Sequence, residues 1–363
     1  MQTLDLHEFH TGFQANFGEV NGTESVLDYG NVRAEYDALR KTVGILDLGF
    51  RGRVCVVGAD RVRFLNGQIT NNVKTLRPGT GCYSALTNNK GKLEADLNVH
   101  ALAEELLLDF EPSLTAKVTE RLEKFIVADD VQIVDVSPHY GLLSVQGPQS
   151  IKVVMQLGLF SATPERAYDS VKATDGTLGE LYLINVPRFG VPGLDLFVPI
   201  AAVAAVADKL VAAAKEAGGG LCGWTAAEWA RIEAGVPRFG IDMDESNLPQ
   251  ETGIESRAVS YTKGCYIGQE VINRIRSVGQ VTRALRGLRL EASAHPPARG
   301  DKLWHEGKEV GYITSAIRSP ALDAAIALAY VRKECNGAGA RLVVRSAQGD
   351  SGAATIVPLP FVS

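Results

Sequence analysis

Two structural punctuation marks recur along this chain at nearly one interval. Gly58 and Gly147 lie 89 positions apart, and Pro112 and Pro199 lie 87 apart. Each glycine follows a short strand-like run, Val54 to Val57 or Leu142 to Val145, and precedes a helix start at Asp60 or Ser150. Each proline opens a helical stretch. In the first, Leu114, Val118, Leu122 and Phe125 fall at helical spacing; the second is the alanine-rich run that ends at Gly218-Gly219-Gly220. Strand, helix, strands and helix, met twice at similar offsets, read as an internal duplication although identity between the halves is faint. The fold class expected is therefore α+β, built from two related units.

The rest of the chain fits around that repeat. Residues 31–43 read as a helix with Gly44 as its stop. Residues 82–87 and 95–102 read as strands around a Gly91-Lys92 turn, followed by strands at 106–110 and 131–136. In the second copy, strands are expected near 181–186 and 194–198. Thr225 and Glu228 have capping-box spacing at the start of a helix that ends near Gly235. After a turn-rich stretch from Pro237 to Tyr261, the texture changes beyond Ser277 to short strands separated by glycines. That reads as a small β-barrel-like domain. A length of 363 residues suits two or three domains.

Composition excludes several classes. With 45% hydrophobic and 22% charged residues, the chain reads as soluble and globular. A net charge of −5 argues against general nucleic-acid binding. The five cysteines (55, 82, 222, 265, 335) are scattered without a C-x-x-C pair. Neither a disulfide framework nor a metal site is expected, and a reducing, cytoplasmic setting is. Residues 1–13 carry no basic run of the secretory type, and the alanine-rich stretch is too short and charged to span a membrane.

The stretch with most chemical content is Lys263-Gly264-Cys265-Tyr266-Ile267-Gly268-Gln269-Glu270. Here a thiol lies between two glycines, close to a lysine and to the start of a helix expected from about Gly268 to Arg276. Free helix N–H groups and a nearby ammonium favour an anion, so Cys265 is expected to be a reactive thiol. The competing reading is a small buried hydrophobe. Asp96, in K-G-K-L-E-A-D-L, is out of phase with apolar Ala95 and Leu97 and is expected to face a cleft, as amine ligand or base. Arg274, Arg276, Arg283, Arg286 and Arg289 form a local positive field suited to carboxylates. His7 and His10 read as surface residues. No G-x-S-x-G, P-loop or G-x-G-x-x-G stands out.

V-V-G-A-D-R-V-R-F-L-N-G-Q-I-T-N (56–71), N-K-G-K (89–92), V-Q-G-P (145–148), A-R-I-E-A-G-V-P (230–237) and K-G-C-Y-I-G-Q-E (263–270) run through nearly the whole chain. On these the sequence resembles the folate-binding superfamily of the glycine-cleavage T-protein. Within it, the cysteine motif is similar to that of YgfZ-type iron–sulfur cluster assembly and repair factors; T-proteins carry a related segment without that cysteine. The resemblance implies a T-protein-like three-domain ring, two duplicated α+β folate-binding units plus a C-terminal β-barrel. The boundaries expected are 1–50 with 140–278 for one discontinuous unit, 51–139 for the other, and 279–363 for the barrel. It implies tetrahydrofolate, or a folate derivative, as cofactor. Tyr83 and Asp96 fall where T-proteins place a folate-contacting tyrosine and the catalytic aspartate, and Arg231 matches a family arginine. Lys263, Gln269 and Arg274 are further expected contacts of the folate.

One departure stands out. T-proteins carry Y-T-G-E-x-G-[FY]-E, whose first glutamate grips the pterin ring. Aligned on Gly193 and Asp195, that glutamate is Val191 and the tyrosine is Arg188. The resemblance thus implies first a folate-binding accessory protein for iron–sulfur assembly or repair, indirectly supporting tRNA modification, with Cys265 as its working residue. Its partners would be iron–sulfur client proteins, with no membrane and no direct nucleic-acid contact, and it would be a monomer. The alternative is a folate-dependent aminomethyltransferase or demethylase that uses Asp96. A folate-binding domain without chemistry is the third reading.

Overall fold

A computed structural model describes residues 3–291, 296–346 and 349–362. The chain opens with α1 (His7–Gly12), the hairpin β1 (Asn16–Val20) and β2 (Thr23–Asp28), α2 (Val32–Lys41) and β3 (Gly44–Asp47). The first repeat follows as β4 (Gly52–Val57), α3 (Arg61–Gln68), β5 (Thr80–Thr87), β6 (Leu93–Ala101), β7 (Leu106–Phe110), α4 (Thr115–Glu123) and β8 (Gln132–Asp135). The second is β9 (Tyr140–Gln146), α5 (Ser150–Gln156), β10 (Ser170–Asp175), β11 (Gly179–Asn185), β12 (Gly193–Pro199), α6 (Ile200–Glu216) and β13 (Gly220–Leu221). Then come α7 (Trp224–Glu233), α8 (Glu255–Ala258) and α9 (Gln269–Val278), and finally β14 (Arg283–Leu290), β15 (Lys302–His305), β16 (Lys308–Ser319), β17 (Ala324–Arg332), β18 (Arg341–Ser346) and β19 (Gly349–Val357).

The duplication is visible in the sheets. One has the order β5-β6-β7-β4-β8; the other has β10-β11-β12-β9-β3-β13. In both, a three-stranded meander returns beside the strand that opened the repeat. The place that β8 takes next to β4 is taken next to β9 by β3, drawn from the chain before the first repeat. Gly58 and Gly147 hold equivalent turns, with φ of 105° and 127°. A Cβ would come within 2.1 Å of the Asp130 carbonyl oxygen at Gly58 and within 2.6 Å of the Thr42 carbonyl oxygen at Gly147. Only glycine meets both demands.

Two compact units result: Met1–Leu86, Ala95–Ala227 and Thr262–Tyr266 in one, and Thr87–Glu94, Glu228–Tyr261 and Ile267–Ser363 in the other. In the first, period-two alternation sends Val54, Val56, Ala95, Leu97 and Val99 toward α3 and α4, whose Phe64, Leu65, Val118 and Leu122 complete that core. Leu143, Val145, Leu194, Leu196 and Val198 face α5 and α6 in a second core. Each sheet therefore covers one face with its own helices and keeps the other for different partners. The second unit contains a closed barrel, β14-β17-β16-β15-β18-β19, around Leu288, Leu303, Ile313, Leu342 and Ile356. Among the described residues no helix is long and apolar enough to cross a membrane.

Several local expectations are corrected. Helix α2 ends at Lys41, and Gly44 starts β3, where a Cβ would meet the Cys222 sulfur at 2.6 Å. Helix α7 begins at Trp224, so Thr225 lies inside it, and Glu228 binds Arg231 and Arg238 instead of closing a capping box. His10 is buried, bonded to Asp47 at 3.0 Å and to the Tyr29 hydroxyl at 2.8 Å, because α1 packs inward.

Gly58→Ala and Gly147→Ala should each destabilise the protein by roughly 1–3 kcal/mol. Gly67→Ala, inside α3 with open space around it, should instead be neutral or stabilise by up to about 1 kcal/mol. Urea midpoints of the three variants check this; equal tolerance at all three would contradict the paired-turn account.

Candidate functional site

Asp96 sits on β6, and the same alternation that buries Ala95 and Leu97 against the helices turns it to the opposite face. There its Oδ2 accepts a 2.8 Å hydrogen bond from the Tyr83 hydroxyl on β5. Its Oδ1 is buried and has no hydrogen-bond partner among the described residues. Burial, and then the negative charge of Glu111, push the carboxyl up to about 6, against the pull of the Tyr83 hydroxyl and Arg51. The sequence expectation placed Tyr83 and Asp96 at one site, and the structure brings them together.

The same sheet face carries charges that sequence reading passed over. Arg51 donates to Asp109 at 2.7 Å and to Glu111 at 2.5 Å, and Asn98 donates to Asp109 at 2.8 Å. Arg188 reaches Asp109 at 2.7 Å and, through Nε, Asp195 at 2.8 Å. Asp195 also accepts from the Ser144 hydroxyl at 2.7 Å, and Gln146 donates to Ser144 at 2.9 Å. Two sheets are thereby joined through a buried ion-pair network. Burial opposes the charge of Asp109, yet Arg188 and Arg51 outweigh it and hold that carboxyl well below its usual range. A signal for these groups existed: Asp109 and Glu111 interrupt an apolar strand (L-L-L-D-F-E) in the way that flagged Asp96.

Lys263 is placed differently from expectation. Its ammonium donates to the carbonyl oxygens of Asn66, Ile69 and Asn71 at 2.6, 2.7 and 2.7 Å. All three N–H donors are thus used within the protein, leaving none for a ligand. Burial draws its pKa down to about 7. The thiol it acts on electrostatically is that of Cys82, which burial pushes up to about 12 against the pull of Lys263. Asn71 passes the link onward, donating from its amide to the Tyr83 carbonyl at 2.8 Å. So the K-G-C-Y and F-L-N-G-Q-I-T-N motifs interlock behind the strand that carries Tyr83.

Cys265 is exposed and free. Helix α9 begins four residues later at Gln269, after Gly268 with φ 87°, so the thiol lies outside the first turn. Gly264 has neither a positive φ nor crowded surroundings. Gly268 is required, since a Cβ would meet the Asn88 carbonyl oxygen at 2.5 Å.

The other expected residues belong to the second unit. Arg231 is buried in ion pairs with Glu228 and Asp242 and donates to the Ser315 hydroxyl at 2.9 Å, which makes it an anchor for the segment before the barrel. Gln269 is half-buried at the start of α9, and Arg274 is exposed on the same helix. Arg276 stacks on the Tyr261 ring at 3.8 Å, Arg283 serves Tyr312 and Ser246, and Arg286 serves the Asn336 carbonyl.

The GCVT N-terminal domain family matches residues 6–263, and the glycine cleavage T-protein C-terminal barrel domain matches residues 283–363. This chain belongs to the GCVT family. Relatives include proteins named aminomethyltransferase from Thermosipho melanesiensis (30% identical; 92% of this chain and 90% of that protein) and from a Picosynechococcus species (29%; 99% and 98%). In structure, this GCVT-family chain is similar to the glycine cleavage system aminomethyltransferase T from Bartonella henselae. The TM-score is 0.90 at 24% identity, covering 99% of this chain and 98% of that one, a likeness of fold.

A carboxyl raised by burial costs stability once the unfolded chain ionises, from about pH 4 upward, and the full cost is reached above about pH 6. Asp96→Asn should therefore stabilise the protein by about 2 kcal/mol at pH 8, allowing for the residue's partial exposure, and by almost nothing at pH 4. Urea titrations at the two pH values read this; an equal effect at both would refute the raised carboxyl.

Proposed function

We propose that this chain is a tetrahydrofolate-dependent one-carbon transferase of the aminomethyltransferase type, with Asp96 as its acid–base group. The observation that carries the reading is the buried Oδ1 of Asp96, without a hydrogen-bond partner among the described residues, beside a Tyr83-bonded Oδ2. A carboxyl poised at about 6 can hold or accept a proton from an amine near neutral pH. The unused oxygen suits an N–H donor, and a reduced pterin or a substrate amine presents one. When bound, tetrahydrofolate would supply the nitrogen that receives the one-carbon unit. Tyr83 would orient Asp96 through its hydroxyl. The names of the relatives support aminomethyl transfer over the accessory role.

Pterin recognition would differ from the T-protein pattern. Val191 is buried and has no charge to offer, and Arg188 is committed to Asp109 and Asp195. A missing charge-assisted contact weakens binding by about 1.5–3 kcal/mol, or roughly tenfold to a hundredfold. A second reading, accessory to iron–sulfur proteins in the YgfZ manner, is favoured by one feature: the exposed thiol of Cys265 in K-G-C-Y-I-G-Q-E.

Tetrahydrofolate should bind on titration, and aminomethyl transfer to it should rise from acid pH through a midpoint near 6. Asp96→Asn should lower that rate by about a hundredfold or more while folding persists. Retained transfer in Asp96→Asn would remove the acid–base role. Cys265→Ser should leave transfer unchanged. If the wild type binds folate without turnover, and Cys265→Ser alone abolishes support of an iron–sulfur enzyme in cells, the second reading replaces the first.

A further inference from the structure

The barrel unit contains a cavity of about 150 Å³ between residues 241–247 and the barrel strands β16 and β17, with Arg299 at its rim. The segment is fixed by Asp242, whose Oδ1 accepts from the Thr314 and Ser315 hydroxyls at 2.6 and 2.7 Å. Its Oδ2 accepts from Arg231 and from the Arg238 N–H, so this buried charge is already answered.

Two polar groups at the cavity are not answered. Asn247 is 2% exposed, and its Oδ1 accepts from the Asp244 N–H at 2.9 Å, which fixes the amide's orientation. The amide Nδ2 is consequently turned away from that contact and has no partner among the described residues. Tyr330 is 1% exposed, and its hydroxyl also has no partner among the described residues. A buried polar atom left unpaired costs about 1–3 kcal/mol, so two at one cavity call for an occupant. Arg299 donates from one nitrogen to the Gly240 and Ile241 carbonyls, each at 3.1 Å, which holds its guanidinium at the rim.

The unused buried groups thus offer hydrogen-bond donors beside a fixed positive charge. We propose that this cavity binds a small organic carboxylate, whose oxygens accept from Asn247 Nδ2 and the Tyr330 hydroxyl while Arg299 supplies the countercharge. The exposed Asp244 carboxylate, on the same lining, is placed to receive an ammonium if the ligand is an amino acid. This site is formed by residues of the barrel unit and does not depend on Asp96.

Calorimetric titration of the full chain with sodium acetate and with glycine, at matched ionic strength, tests the proposal. Saturable binding is expected for at least one of them. Asn247→Asp keeps the acceptor for the Asp244 N–H but turns the inward donor into a charged oxygen, and should weaken binding by about tenfold or more. Tyr330→Phe keeps the ring and should weaken it about threefold to tenfold. Its milder change keeps the test valid if Asn247→Asp does not fold. Equal affinities would support recognition of the carboxylate alone; tighter glycine would add the Asp244 contact. Absence of saturable binding by the wild type would mean the cavity holds only water and would overturn the proposal. So would affinities unchanged in both variants.

Discussion

The ion-pair network of Arg51, Asp109, Arg188 and Asp195 is the constraint on which the duplicated unit depends. Each sheet spends its apolar face on its own helices, so the two sheets meet through the remaining faces, which carry charge. Charges removed from water are tolerated only when paired and fully hydrogen-bonded. Arg51 satisfies Asp109 and Glu111 on one sheet, while Arg188 reaches from the other side to Asp109 and holds Asp195. Asn98 donates a further hydrogen bond to Asp109, Ser144 donates one to Asp195, and Gln146 donates to Ser144. Shifting either sheet by one residue would replace these groups with valines and leucines, so the network also fixes register.

The candidate site is an outgrowth of that network. Glu111, held by Arg51, is the charge that adds to burial in raising the Asp96 carboxyl. Arg188 stands where the T-protein motif carries a tyrosine. In this chain that position serves the sheet contact, and Val191 beside it is apolar.

The K-G-C-Y segment has two separable roles. Lys263 braces the loop after α3 through three carbonyls, and Asn71 carries the brace to Tyr83. That is a positioning role, and it accounts for the pairing of two motifs almost two hundred residues apart. Cys265 takes no part in it and is exposed.

The chain's own sequence determined the repeat, the barrel and the out-of-phase placement of Asp96, while Tyr83 beside it was implied only by the family resemblance. Glycines with forced φ and prolines at helix starts act locally, and out-of-phase charges in strands follow from a period of two, so all can be read without contacts. Asp109 and Glu111 carried the same local mark, but their partners did not. Arg188 lies 79 positions from Asp109, and nothing local distinguishes an arginine that binds folate from one that closes a sheet contact. For the same reason Lys263 and Arg231 read as ligand residues and proved to be internal anchors, and His10 read as surface and proved buried. A side chain's charge and reach belong to the sequence. Which acceptor it meets, and whether water is left to compete, only the packed tertiary structure decided.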